Sequence, residues 1–257
     1  MCELGQIDIC TEVSVLFSFA AMPCKRHLEA ALHLFSYLKL KSNSRLIFDM
    51  KEPNVGESNF MECDWSDFYP GAKGALPPNA LKPLGKDVML QIFIDSNHTG
   101  DKVSRCSRNC CVIFFNKCMI DWLSKKQSTV KISVFGMEIC IMKHSIDNLC
   151  GIPYKLHMMG APIKGSSYVY GENMSVVTNA ITPEPNLRKK SNSICHHAVR
   201  EAIAMGKALV AHILTKKYLA NPDLFTKALY GQTCRFLVDR IPCDVFPSIQ
   251  MSQNSPG

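Results

Sequence analysis

The sequence contains no Cys-x-x-Cys pair, although 13 of its 257 residues are cysteine. Thiolates paired at that spacing build most structural zinc sites, so a zinc knuckle is not expected. Cys106, Cys110, Cys111 and Cys118 instead straddle a predicted pair of strands. Scattered thiols without a secretory start imply reduced cysteines, an intracellular setting (cytoplasm and nucleus not distinguished) and no disulfide-linked partner. Signal and membrane segments are missing too. The apolar stretch Val13 to Met22 follows Glu3, Asp8 and Glu12 where a signal peptide would be basic, and it is too short to span a bilayer, so no membrane partner is expected. A large excess of one charge is also absent. With 29 basic and 22 acidic residues the formal net charge is +7, which suits a polyanionic partner without requiring one.

What is present is enough apolar residue, 47% of the chain, for one full core plus a smaller unit. After Pro23, Leu28, Ala31, Leu32, Phe35 and Leu38 fall at helical spacing and predict an amphipathic helix ending near Lys41, followed by a short strand at Arg45 to Asp49. Residues 50–87 lack periodicity, and their prolines and glycines mark a linker, with Trp65, Phe68 and Tyr69 expected to pin part of it to a domain surface. The expected division is therefore an appendage over 1–50, a linker over 51–87, a main domain over 88–230 and a tail over 231–257.

The main domain opens on Val88 to Asp95, an apolar run bounded by turn residues, which reads as a strand covered on both faces and ending on a carboxylate. An acid beyond the carboxyl end of such a strand is a candidate for chemistry or metal, with simple turn capping as the competing reading. Cys111 to Phe115 and Cys118 to Leu123, joined by Asn116-Lys117, form a predicted hairpin. Lys125, Lys126, Gln127, Ser128 and Thr129 follow as a basic loop, either a solvated turn or a phosphate contact. From Val134 a long helix presents Phe135, Ile139, Met142, Ile146, Leu149 and Leu156 on one stripe, and Pro153 is expected to kink or end it. Glu138 lies on that stripe, where a carboxylate is costly unless it is paired, binds a cation or reaches out to water. Ser167 to Tyr170 is a fourth strand ending at Gly171-Glu172-Asn173, the glycine read as allowing a close backbone approach. Next come the basic run with Arg188, Lys189 and Lys190, a helix carrying His197 and Arg200, a fifth strand from Ala208, and a last helix with Asp223 in its first turn. The basic run and that helix could track a phosphate backbone or simply face solvent.

Three strands, helix, strand, two helices, strand and helix is the order of a ribonuclease H-like α/β domain. The implied mixed five-stranded sheet has three antiparallel strands and then two parallel ones, flanked by helices, with a small helical remnant at the amino terminus. The resemblance goes further. Ile94-Asp-Ser-Asn-His-Thr-Gly-Asp101, Trp122-Leu-Ser-Lys-Lys-Gln-Ser-Thr129, Val134-Phe-Gly-Met-Glu138, Val169-Tyr-Gly-Glu-Asn-Met-Ser-Val176 and Asp223-Leu-Phe-Thr-Lys227 resemble the ribonuclease H region of copia-type retrotransposon polyproteins. Glu3-Leu-Gly-Gln-Ile-Asp8 and His27 to Leu38 resemble the tail of the preceding reverse transcriptase domain.

The resemblance implies a polyprotein fragment whose partners are an RNA–DNA hybrid and the rest of that polyprotein. It implies hydrolysis of the RNA strand with two Mg²⁺ ions, Mn²⁺ being a permissive substitute. Asp95 would bridge both ions, Glu138 and Glu172 would flank them, and Asp223 would complete one shell. Lys125, Lys126, Gln127, Ser128, Asn173, Arg188, Lys189, Lys190, His197 and Arg200 are the expected nucleic-acid contacts. The polymerase palm lies outside these residues, so reverse transcription by this chain alone is not expected. Several departures from the family pattern stand out: Glu172 where Asp is usual, Asn221-Pro222 running directly into Asp223, Cys110 in place of Gly, Pro153 within the helix, and Cys106 and Cys234 where basic residues are common. They keep open an alternative, a decayed retroelement remnant that retains the fold and at most binds nucleic acid.

Overall fold

The computed structural model describes residues 6–41, 45–46, 48–55, 60–74, 79–98, 100–101, 103–128, 130, 133–183, 192–213, 223–227, 232 and 243–244. Helices α1 (Cys10–Phe17) and α2 (Lys25–Leu40) come first, and the short strand β1 (Arg45–Leu46) pairs antiparallel with β7 (Cys243–Asp244). Strands β2 (Leu90–Asn97), β3 (Arg108–Phe115) and β4 (Cys118–Lys126) form a meander, and α3 (Val134–Met158) crosses back to β5 (Ser167–Gly171). Then follow α4 (Met174–Ile181), α5 (Ser193–Ala204), β6 (Ala208–His212) and α6 (Asp223–Thr226).

The main sheet has the order β4-β3-β2-β5-β6, with β2 antiparallel to β3, β3 antiparallel to β4, and β2, β5 and β6 mutually parallel. This is the mixed five-stranded ribonuclease H-like sheet that the order of elements implied. The apolar run of β2 is central because it is covered twice. Leu90, Ile92 and Ile94 point to one face, under Ile139, Met142, Ile146 and Leu149 of α3 and the apolar sides of α4 and α5. Phe93 points to the other face, among Phe114, Tyr170, Ala211, Leu224 and Phe225. β2 does not stop on Asp95: its ladder with β3 continues through Ser96 and Asn97, opposite Asn109 and Arg108. The hairpin turns at Asn116 (φ 51), a residue type that tolerates the left-handed region. Its side-chain oxygen accepts from the Met89 amide at 2.9 Å, and its carbonyl accepts from the Gln91 side chain, fastening the hairpin to the start of β2.

The long helix begins where the sequence placed it, with Ser133 accepting from the Gly136 amide as the cap. It runs through Pro153 to Met158, so the proline does not end it. The chain turns away at Gly160 (φ +73), two residues beyond.

Two parts outside the sheet behave differently from each other. The first stretch is built into the second core: Ile7 and Cys10 join the cluster around Phe93 and Phe225. The Thr11 hydroxyl donates to the Leu224 carbonyl at 2.7 Å, and the Ser14 hydroxyl to the Ser124 carbonyl at 2.6 Å. α2 is a helix as its spacing predicts, yet Leu28, Leu32 and Phe35 are exposed and no residue of α2 is buried among the described residues. Trp65 and Tyr69 of the proline-rich stretch do dock on the domain. Trp65 is buried in the first core, and the Tyr69 hydroxyl meets Nδ1 of His197 at 2.9 Å. No helix among the described residues is long and apolar enough to cross a membrane.

Candidate active site

The site lies where β2 and β5 end side by side. Alternation along β2 turns Asp95 to the same face as Phe93, toward α6, and the residue is nearly buried. Oδ2 of Asp95 accepts a hydrogen bond from the Thr226 hydroxyl at 2.9 Å. Glu138 comes from the first turns of α3, four residues after Val134, partly covered. Glu172 follows β5 directly and is exposed. Asp223 opens α6, and its side chain lies outside the described residues.

The electrostatics connect three of these acids. Burial raises the Glu138 carboxyl from the ordinary 4.5 to about 7, and the charges of Asp95 and Glu172 push it in the same direction. Hydrogen bonds from the side chain and backbone of Asn173 oppose that rise. Asn173 is held for this task, because its Oδ1 accepts from the Ser175 and Val176 amides as the cap of α4, leaving the amide nitrogen for Glu138. Burial and two neighbouring carboxylates thus favour the protonated form of Glu138. Among the described residues, no three His, Cys, Asp or Glu side chains stand close enough together to hold a metal ion. The glycine before Glu172 is not forced by space: a Cβ on Gly171 would find its nearest neighbour, Val177, at an ordinary 3.5 Å.

A groove of about 340 Å³ is lined by Lys125, Lys126, Gln127 and Ser128 with Asn109, Leu123, Cys140 and His144. Gln127 ties it to the site, donating to Oδ1 of Asn109 at 2.6 Å and reaching the carbonyl of Met137, the residue before Glu138. Lys126 is committed to Asp101 at 3.1 Å. Despite some burial, Asp101 is held well below the usual carboxylate range by the amides of Ser104 and Val103 and by Lys126. Lys125 is exposed.

The other expected contacts divide. Arg188, Lys189 and Lys190 lie outside the described residues. His197 is exposed on α5 and bonded to Tyr69. Arg200 is not on a surface. Its guanidinium sits 5.0 Å over the Trp65 ring and 5.7 Å over Phe68, donates to the Pro183 carbonyl, and is 1% exposed. Three residues at the site escaped the sequence reading. Thr226 and Asn109 are seen only through their partners, and Nε2 of His212 meets the Glu172 carbonyl at 2.9 Å. For Thr226 the signal was available, since it lies within the Asp223-Leu-Phe-Thr-Lys227 motif.

No family model matches this chain. Similar solved structures include three ribonucleases H. RNase H1 from the halophilic archaeon Halobacterium salinarum is 6% identical, covering 54% of this chain and 94% of that one, with a TM-score of 0.41. The N-terminal RNase H domain of a Mycobacterium tuberculosis protein, as a fusion with maltose-binding protein, is 8% identical over 60% of this chain and 98% of that one, TM-score 0.41. An RNase H1 in complex with an RNA/DNA hybrid is 13% identical over 53% of this chain and 93% of that one, TM-score 0.42. The strand order and directions described above make this chain ribonuclease H-like in fold.

Proposed function

We propose that this chain is a retrotransposon-derived ribonuclease H domain that hydrolyses the RNA strand of RNA–DNA hybrids with two divalent ions, Mg²⁺ or Mn²⁺. The observation that carries the reading is the state of Glu138, a partly buried carboxyl raised to about 7 beside Asp95 and Glu172. Acids that repel one another at a strand end are stabilised by a cation, and carboxylate oxygens are the hard donors Mg²⁺ prefers. Asp95, Glu138, Glu172 and Asp223 would hold the ions. Such ions, when bound, supply an activated water on one side of phosphorus and charge relief for the oxygen leaving from the other.

The chain's own residues supply positioning. Thr226 fixes one oxygen of Asp95, and Asn173 holds Glu138 while capping α4. Lys125, Gln127 and Ser128 line the groove as the phosphate-facing wall, with Lys126, Arg188, Lys189, Lys190 and His197 as further basic contacts. Arg200 has a different role, as the cation clamped between the Trp65 segment and α5. The 2′-hydroxyls are the groups by which such a site tells RNA from DNA. Copia-type ancestry, a place beside a reverse transcriptase in a longer polyprotein, and the division at residues 50, 87 and 230 belong to the same proposal, supported by the order of the motifs.

A second reading, in which the fold binds nucleic acid without cleaving it, is favoured by Glu172. Its extra methylene relative to the family's Asp displaces the carboxylate by roughly 1 Å, a shift that can cost on the order of a hundredfold in rate. Cleavage of an end-labelled RNA strand in a hybrid, in Mg²⁺ and in Mn²⁺, separates the two. The enzyme reading expects RNA products in at least one ion and none from Glu138→Gln. No product in either ion, with Glu172→Asp equally silent, leaves only the binding reading.

A further inference from the structure

Two sulfurs far apart in the chain meet on the helical face of the sheet. Sγ of Cys140, on α3, lies 3.5 Å from Sγ of Cys195, on α5, and 55 residues separate them. Both side chains are half-buried, and Cys195 packs against the core that α3 and α5 share. Neither is in a disulfide. Cys111, buried beneath the same helices, differs: burial pushes its thiol up to about 12, which makes it a poor nucleophile.

A disulfide has an S–S length of about 2.05 Å, so closure asks the two sulfurs to approach by roughly 1.5 Å, within the reach of side-chain rotation on helices already in contact. We infer that Cys140 and Cys195 are a site of reversible disulfide formation, which cross-links α3 to α5 when the protein meets a peroxide. In the first step the thiolate sulfur of one cysteine attacks hydrogen peroxide. The O–O bond breaks, one oxygen stays on sulfur as a sulfenic acid, and the other leaves as hydroxide, which takes up the proton the thiol gave up and becomes water. The second sulfur then attacks the first, the S–S bond forms, and the sulfenic oxygen departs as a second water. Two thiols are oxidised by two electrons and one peroxide is reduced. The inference stands apart from the nuclease reading, although Cys140 also lines the Lys125 groove and follows Glu138 by two positions on α3.

The test uses the full chain, reduced, freed of reductant, treated with hydrogen peroxide, alkylated and digested without reduction. The expected result is a peptide pair joined through Cys140 and Cys195, lighter by two hydrogens than the separate peptides and split by dithiothreitol. The oxidised chain should also melt several degrees higher than the reduced one, because a 55-residue loop is closed in the unfolded state. Cys195→Ala should show no oxidation-dependent rise. Recovery of both cysteines alkylated, as sulfinic acids, or joined to other cysteines such as the exposed Cys150 overturns the inference. The peptide map of the unaltered chain decides this even if Cys195→Ala fails to fold.

Discussion

The Thr226 hydroxyl donates to Oδ2 of Asp95 at 2.9 Å, joining two residues 131 positions apart. Through this bond the last helix is fastened to the central strand at Asp95. The helix is itself held from outside, by Thr11 of α1 on the Leu224 carbonyl and by Ser124 of β4 on the Phe225 carbonyl at 2.5 Å. A hydroxyl on a carboxylate both orients it and favours its ionised form. Replacement of Thr226 by Val keeps the shape and removes the donor. A hydrogen bond to a charged group contributes about 1.5–3 kcal/mol, so single-turnover hybrid cleavage should fall roughly tenfold or more, with hybrid affinity little changed. An unaltered rate would show that Asp95 does not depend on this bond.

Glu138 sets a pH dependence. The folded chain holds its proton more tightly than the unfolded chain does, since burial, Asp95 and Glu172 raise the carboxyl from 4.5 to about 7. Its contribution to metal-free stability is therefore fully present below pH 4.5, falls as pH rises toward about 7, and is flat above that. Binding of Mg²⁺ requires the ionised form, so Mg²⁺ affinity should rise across the same window. Thermal melts from pH 4 to 8 with chelator and with Mg²⁺ measure both trends. Glu138→Gln should flatten them, and an unchanged profile in that variant would place the titration elsewhere.

Glu172→Asp restores the shorter side chain. If the longer one displaces a metal-holding carboxylate, the variant should cleave roughly ten- to a hundredfold faster than the parent in Mg²⁺. Steady-state rates in Mg²⁺ and Mn²⁺ decide this, and a slower or equal variant removes Glu172 as the weak point of the site.

The groove makes a quantitative demand on salt. Lys125 is exposed on its wall, whereas Lys126 is drawn to Asp101. Lys125→Ala should lower the slope of log affinity against log salt by about 1 for a hybrid, and Lys126→Ala by less. Equilibrium binding at several salt concentrations gives the slopes. Equal slopes for Lys125→Ala and the parent would take the groove out of the nucleic-acid path.

Trp65 is buried and covers the Arg200 guanidinium, so Trp65→Ala removes both a core ring and the surface on which a buried cation stacks. Urea denaturation should show a loss of about 3–5 kcal/mol. A loss under about 1 kcal/mol would mean that the proline-rich stretch rests on the domain without supporting it.

Much of the fold can be read from local pattern. The apolar run before Asp95 is long enough and branched enough to be a doubly covered strand, the Asn116-Lys117 turn closes the hairpin, and the Ile139–Leu149 stripe finds the sheet. Asp95 near the end of β2, Glu138 in the first turns of α3 and Glu172 just after β5 share a field, as Glu138 records. Arg200 shows where such reading stops. In sequence it belongs to a basic, polar region facing a phosphate or water, but aromatic rings from a segment more than a hundred residues earlier enclose it. α2 shows the converse: its amphipathic spacing is real, and its stripe stays exposed among the described residues.

Apolar spacing and turn chemistry, which act within a few positions, are enough to place the main strands and helices in order, although β4 runs on through Lys125 and Lys126, where a loop is expected, and β3 already begins at Arg108. Packing of distant segments is what brings Thr226 to Asp95, seats α1 on the second core, encloses Arg200 and sets Cys140 against Cys195. Those pairings are choices among many chemically equivalent partners, and they are settled by how whole elements stack to exclude water.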